Sequence, residues 1–339
     1  MPLLNKNYNL GNINKIISYF LLGLIGCLTI LSLLSFWAWH FLLELASHFK
    51  LQYLFFSLFL FALLAIFRHK KPLLLALFCI SIQIADIAIW YLPQHNVGME
   101  AGGKLQLLSA NINVQNQSYS QVTSLVRKEK PDLAIFMEID DLWVNKFKSF
   151  TDILPYAYTK PNPYNLGIAV YSKKPLGNVS FKLFGTPNNP SIVANLTVNG
   201  QVIYLIATHP LPPARLDYFH LRNKQLDEIS KYVKSLNAPV IMAGDLNITM
   251  WSPYYKKFEK KTGLRNARKG FGILPTWPTK PTFSRIPRFI SPLLWIPLDH
   301  CLISPEIRVA NIRTNENIGS DHLPLSVELI IPKIINKSS

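Results

Sequence analysis

The segment VIMAGDLN, residues 240–247, runs from four apolar residues into a glycine, an aspartate and an asparagine. A short apolar run bounded by turn-forming residues reads as a buried strand, here Val240–Ala243, that delivers Asp245 and Asn247 at its end. The same pattern recurs along the chain. Asn111, Glu138, His209, Asp299 with His300, and Asp321 with His322 each end or follow an apolar run. Strands are expected at Leu105–Leu108, Asp132–Met137, Leu166–Tyr171, Ile192–Val198, Val202–Thr208, Leu298–Ile303 and Leu325–Ile330. Asn199-Gly200 between two of them is a hairpin signal. Helices are expected over Ser118–Lys130, with Val122, Leu125 and Val126 inward, and over Asp217–Leu236, with Leu226, Ile229, Val233 and Leu236 inward. Hairpins mixed with a few helices imply an α+β sandwich, with sheets face to face and helices outside. A doubly wound nucleotide fold is disfavoured, because strands and helices do not alternate regularly and no glycine-rich phosphate loop occurs.

A sandwich presents strand ends together at one edge, so these scattered polar residues can meet. Taken singly, each has a structural explanation: Asp245 could cap a turn, Asn247 could be a turn residue, Glu138 a surface ion-pair partner and His322 a satisfied histidine. His300 is expected to hydrogen-bond locally. Taken together, they form a set rich in carboxylates, with histidines and carboxamides. Hard oxygen donors suit Mg²⁺ or Mn²⁺ better than zinc, and the implied chemistry is metal-assisted attack of water on a phosphate ester.

Composition divides the 339-residue chain. The first 103 residues carry six basic and three acidic residues; the remaining 236 carry 29 and 16, a net +13. This excludes one uniform soluble domain, a disordered chain and a many-helix transporter. Ile16–Trp39 has no charge in 24 positions, Leu51–Phe67 none in 17, and Leu73–Leu92 one, Asp86, in 20. Each can cross or nearly cross about 30 Å of hydrocarbon. The expected organisation is therefore a cytoplasmic tail (1–15), three membrane helices (about 16–39, 51–67 and 73–92), a linker (93–103), a catalytic domain (104–332) and a tail (333–339). Trp37, Trp39, Trp90 and Tyr91 fall at expected helix ends. Lys6, Lys15, Arg68, Lys70 and Lys71 put the N-terminus and the 68–71 turn in the cytoplasm. Three crossings then place the polar domain outside a bacterial cytoplasmic membrane, in a periplasm where there is one. Asp86 invites a functional reading and a helix–helix hydrogen bond competes with it. His40, Glu44 and His48, at i, i+4, i+8, could bind a metal or form the polar face of an interfacial helix. Of three cysteines only Cys301 lies in the polar part, which leaves no intrachain disulfide or cysteine metal cluster there.

The order of motifs resembles the endonuclease/exonuclease/phosphatase superfamily, the fold of pancreatic-type deoxyribonuclease and abasic-site endonucleases. The matching segments are SANIN (109–113), FMEID (136–140), LGIAVYSKKPL (166–176), ATHPLPP (207–213), GDLN (244–247), PLDHCLIS (297–304) and GSDHLPL (319–325). ATHPLPP and TWP (276–278) resemble a bacterial, membrane-anchored subgroup. The resemblance implies a four-layered α/β sandwich and a set of roles. Glu138 matches the acidic metal ligand, Asn111 the carboxamide beside it, and Asp321 a position that can support a metal. Asp245 matches the residue that orients or deprotonates water, and Asn247 the donor that holds the phosphate in the transition state. His322 matches the phosphate-contacting histidine and Asp299 the carboxylate that orients it. His209 stands where the deoxyribonuclease branch has a second phosphate-contacting histidine.

Family membership leaves the ester open. The excess positive charge attracts nucleic acid or anionic lipid. Lys256, Lys257, Lys260, Lys261, Arg265, Arg268 and Lys269 contribute to it, either as a polyanion surface or as a solvated helix face. In the loop 270–297, Phe271, Trp277, Phe283, Phe289 and Trp295 lie among Arg285 and Arg288, a mixture that can stack single-stranded bases or dip into a bilayer. Three readings follow: a nuclease, a phosphodiesterase of phospholipid or sphingolipid headgroups, and a catalytically silent tethered binding domain. The full set of catalytic residue types argues against the last.

Overall fold

A computed structural model describes residues 4–37, 40–93, 102–279 and 291–332. Trp39, most of the expected linker, the tail 333–339, and Phe283, Arg285, Arg288 and Phe289 lie outside the described residues. The chain divides into a helical unit within residues 1–91 and an α/β unit after it.

The helical unit contains α1 (Leu4–Leu34), α2 (Phe41–Ser47), α3 (Lys50–Ile66) and α4 (Lys70–Ala88). Residues Gly11–Trp37 and Lys70–Ala88 are each long and apolar enough to cross a membrane; α2 and α3, bent by 66° at their junction, add a third span if they count as one. Polar side chains turn inward here, as expected where lipid faces the outside. Gln83 donates to Thr29 Oγ1 (2.8 Å) and Ser57 Oγ (2.9 Å), joining α4 to α1 and α3. Asp86 accepts from the Lys50 ammonium, which also stacks on the Phe36 ring. Of the i, i+4, i+8 trio, Glu44 and His48 are buried 3.4 Å apart while His40 is exposed. They therefore form no common wet face.

The α/β unit consists of β1 (Gly103–Asn111), α5 (Tyr119–Glu129), β2 (Leu133–Met137), α6 (Asp141–Lys146), β3 (Tyr156–Lys160), β4 (Ile168–Ser172), β5 (Gly177–Lys182), β6 (Ser191–Val198), β7 (Gln201–Ala207), α7 (Leu216–Lys234), β8 (Val240–Asp245), α8 (Pro253–Thr262), β9 (Arg265–Asn266), β10 (Asp299–Ile303), β11 (Arg308–Thr314) and β12 (Leu325–Ile331). Two six-stranded mixed sheets result, ordered β11-β12-β1-β2-β4-β3 and β5-β6-β7-β8-β10-β9. The eight strands expected from apolar runs are the eight interior strands. The four that no apolar run marks, β3, β5, β9 and β11, are the four edges. An edge strand is partly wet and carries polar residues, as in Tyr156–Lys160 and Arg308–Thr314.

Alternation explains why the interior strands are apolar throughout. Leu105, Leu107, Leu133, Ile135 and Met137 meet Ile203, Leu205, Ile241 and Ala243 in the core between the sheets. Their neighbours Leu108, Ala110, Ala134 and Phe136 point the other way, into a cluster with Val122, Val126, Trp143 and Phe147. Both faces of the first sheet are covered, so neither can be polar. Asn199 (φ 52°) and Gly200 (φ 78°) make the β6–β7 turn, with Val198 paired to Gln201.

The arrangement of strand directions positions the site. β1 and β2 are parallel, as are β7 and β8. Their C-terminal ends therefore emerge at one edge of the sandwich. β12 runs antiparallel to β1 and β10 antiparallel to β8, with Asp299 opposite Asp245. The N-terminal ends of β10 and β12 thus reach the same edge. Gly244, one residue before Asp245, has φ 147°, and a Cβ there would run into the Thr208 carbonyl oxygen. Gly244→Ala is therefore expected to destabilise the protein by at least about 2 kcal/mol, read as a lowered unfolding midpoint in detergent solution. An unchanged midpoint would contradict this packing.

Candidate active site

Every site residue expected from sequence comes to that edge. Asn111 ends β1, and its amide nitrogen donates to Glu138 Oε1 (2.9 Å) and to Asp245 Oδ2 (3.1 Å). One carboxamide thus links the two sheets. Its own oxygen accepts from the Asn113 backbone N–H (3.1 Å). Glu138 follows β2 with φ 59°, an uncommon conformation for a side chain other than glycine. The Glu138 N–H donates to the Gly167 carbonyl (2.8 Å), and a Cβ on Gly167 would overlap the Ile139 carbonyl.

Asp245 is buried at the centre. Its Oδ1 accepts from the Asn247 N–H (2.8 Å), and its Oδ2 lies 3.5 Å from both His209 Nε2 and His322 Nε2. Asn247 (φ 50°) directs its amide nitrogen to the Pro210 carbonyl (2.9 Å) and toward His209 Nε2 (3.2 Å). His322 Nδ1 lies 2.8 Å from Asp299 Oδ2. Asp299 Oδ1 is buried without a protein hydrogen-bond partner among the described residues. Asp321 accepts from Asn113 Nδ2 (2.9 Å) and Trp277 Nε1 (3.3 Å), which ties the β1 loop and the TWP segment to the loop that carries His322.

Burial alone lowers the His322 imidazole, but the Asp299 and Asp245 carboxylates outweigh it and raise its pKa to about 10. His322 is therefore a cation at neutral pH. Burial raises the Glu138 carboxyl, and nearby His209, Asn111 and His322 only partly offset this. A half-buried, only partly compensated carboxylate, an Asp299 oxygen without a protein partner among the described residues and a carboxylate-rich donor set fit a hard divalent cation. Ligand atoms of Asp245, Asp299 and His322 also lie within 4.8 Å of one another, but a protonated His322 ring has no lone pair to offer a metal.

Two basic residues behave otherwise than a polyanion surface requires. His300 is buried and low in pKa through burial and then the Arg268 charge. It lies 3.0 Å from Asn266 Nδ2 and 2.7 Å from the Ile248 carbonyl, a local hydrogen-bonding role as expected. Arg268, counted among the basic excess, is fully buried and donates to the Ile273 carbonyl (2.6 Å) and the Asp299 carbonyl. It braces β10 and offers nothing to a polyanion.

Sequence reading missed the supports. Asn113 and Trp277 hold Asp321, and Thr276 Oγ1 accepts from the Leu298 and Asp299 N–H groups (3.1 and 3.2 Å). On α7, Arg222 and Gln225 are polar residues on the buried face, the one signal that could have drawn attention to them. A cavity of about 650 Å³ lies at the opposite edge of the α/β unit and includes Leu105, Leu133, Leu176 and Leu196 in its lining. No site residue lines it, so cavity size does not locate the chemistry.

Residues 108–322 match the Endonuclease/Exonuclease/phosphatase family. No curated protein sequence matches the chain. Among solved structures, D. rerio TDP2 complexed with a single-strand DNA product is 18% identical, with TM-score 0.56, over 67% of this chain and 98% of that one. An AP endonuclease from Archaeoglobus fulgidus is 17% identical, TM-score 0.54, over 66% and 98%. The human Nocturnin catalytic domain with bound sulfate is 18% identical, TM-score 0.54, over 67% and 94%. At these identities the likeness shows the fold.

The His322 pair gives a pH prediction. A folded-state value near 10, above the ordinary 6.5, makes its contribution to stability full below about pH 6.5 and lost as pH rises through about 10. In metal-free protein the ring should remain an imidazolium at pH 8 by NMR, and Asp299→Asn should bring its titration down toward the ordinary range. A wild-type ring titrating near 6.5 would refute the assignment.

Proposed function

Because the chain belongs to the endonuclease/exonuclease/phosphatase family, whose members are hydrolases of phosphodiester bonds, we propose that it is a membrane-anchored, divalent-metal-dependent phosphodiesterase acting on nucleic acid. The observation that carries the reading is Asp245. One buried carboxylate oxygen sits 3.5 Å from two histidines and 3.1 Å from Asn111, while the other is held by the Asn247 N–H. Asp245 orients the attacking water and takes its proton. The His322 cation, held by Asp299, faces the phosphate and stabilises the charge that develops on it. Asn247 and His209 offer further donors to the phosphoryl oxygens. Glu138, with Asn111 and Asp321 beside it, would hold Mg²⁺ or Mn²⁺, whose contribution is Lewis-acid polarisation of a phosphoryl oxygen.

The +13 balance of the residues after 103 suits a polyanion of either kind; nucleic acid is favoured over a lipid headgroup by the single-strand DNA product in the TDP2 structure. Binding through several phosphates weakens steeply with salt. The full-length protein in micelles should cleave DNA with Mg²⁺, lose this with EDTA or His322→Ala, and lose affinity steeply between 50 and 200 mM salt, on the order of tenfold or more. Asp245→Asn should lower turnover by about 10²–10⁴-fold. A near wild-type rate would remove Asp245 from its role. Cleavage of phospholipid vesicles with DNA left intact would move the substrate to lipid.

The proposed site faces away from the cytoplasm of a bacterial cell. In the helical unit, Lys50 at the start of α3 meets Asp86 near the end of α4 and Phe36 just after α1. The Arg68–Lys71 turn joins the other ends of α3 and α4 and marks the cytoplasmic side. A C-terminal reporter active only outside the cytoplasm should therefore be active; activity of a cytoplasm-only reporter would reverse the orientation.

A further inference from the structure

The buried face of α7 carries two polar residues one turn apart, Arg222 and Gln225, both without solvent exposure. Their partners lie at the phosphate-contacting half of the site. Arg222 donates from Nη1 to the Asn247 backbone carbonyl (2.9 Å), and from Nε and Nη2 to Asn223 Oδ1 (3.1 and 2.9 Å). Its guanidinium also lies over the Phe219 ring, 5.3 Å from the centroid. Gln225 donates to Thr208 Oγ1 (3.3 Å) and accepts from Asn189 Nδ2 (3.2 Å), and the same Asn189 nitrogen donates to the His209 backbone carbonyl (2.8 Å). Ser191 and Thr208 hydroxyls close the network at 2.7 Å. The two supported side chains, Asn247 and His209, meet at 3.2 Å.

From this geometry we infer that α7 is a positioning strut for the phosphate-contacting donors, with Arg222 setting Asn247 and Gln225 setting His209. The inference rests on the proposed roles of Asn247 and His209. Asn247 is held at φ 50°, in the left-handed region, where asparagine is among the more tolerant side chains. A charge-assisted bond from a planar guanidinium to its carbonyl is among the stronger ways to fix that peptide. A buried arginine is costly to desolvate, and here the partner it reaches is the peptide that directs the Asn247 amide. Neither residue touches the reacting atoms. Each acts through another residue.

The test uses the full-length protein in micelles with Mg²⁺ and bis(p-nitrophenyl) phosphate, a phosphodiester that presumes neither DNA nor lipid. Asn247→Ala, Arg222→Met, Arg222→Lys and the double variant Arg222→Met/Asn247→Ala are compared. Positioning through Asn247 predicts that Arg222→Met lowers kcat about 10- to 100-fold with little change in KM, since a transition-state contact is lost. Arg222→Lys, which keeps one donor, should recover part of the loss. In the Asn247→Ala background, Arg222→Met should add less than about threefold, because both changes remove the same contact. Losses that multiply in the double variant, or an Arg222→Met kcat near wild type, would overturn the inference. Should Arg222→Met fail to fold, Arg222→Lys alone and in the Asn247→Ala background decides on the same criterion. Asn247→Ala at the wild-type rate would instead sink the underlying role of Asn247, a different failure from that of Arg222.

Discussion

The contact between His322 and Asp299 joins the loop before β12, in one sheet, to the first residue of β10, in the other. The Asn111–Asp245 bond does the same from β1 to β8. These cross-sheet contacts are possible only because the two sheets pack face to face and present the relevant strand ends at one edge. If a strand slipped by one residue in its pairing, its side chains would change face. The apolar core between the sheets therefore does more than stabilise. It fixes the register that lets four carboxylates, two histidines and two carboxamides meet.

Gathering so many charges in a buried place is unfavourable unless they compensate one another. Compensation here is incomplete by design of the donor set. His322 is made cationic by two carboxylates, while Glu138 is left raised by burial and Asp299 keeps one oxygen without a protein partner among the described residues. Strain accompanies the charge: Glu138 and Asn247 both occupy left-handed backbone conformations. Such strain persists only where surrounding structure over-determines it. Gly167 and Gly244 supply close approach, and Arg222, Arg268 and Thr276 supply buried hydrogen bonds to the loops that carry the site.

The helical unit obeys the opposite solvent logic. Its large apolar side chains, such as Phe20, Phe56, Leu74 and Phe78, are exposed, while Gln83, Thr29 and Lys50 turn inward. That inversion is what a hydrocarbon environment favours, because a polar group facing lipid has no partner. The charge at Asp86, a candidate functional residue by composition, is accounted for by the Lys50 ammonium.

Local chemistry decided a large part of this protein. Apolar runs of four to eight residues mark the interior strands, since both faces of those strands are buried. Asn199-Gly200 marks the hairpin, and polar residues at the ends of the runs mark the site. Residue type also separated the helices apolar enough to cross a membrane from the α/β unit. What only the tertiary structure decided lies where burial is a property of neighbours rather than of the segment itself. The edge strands are half wet and read as loops. Arg268 reads as surface charge but is buried against the Asp299 strand. Arg222 and Gln225 stand out only as polar residues on the buried face of a helix; their partners Asn247 and Asn189, 25 and 36 residues away along the chain, turn them into supports. Periodicity can say which face of a helix is apolar; it cannot say which polar group waits beneath it, because that partner arrives only when the chain has closed on itself.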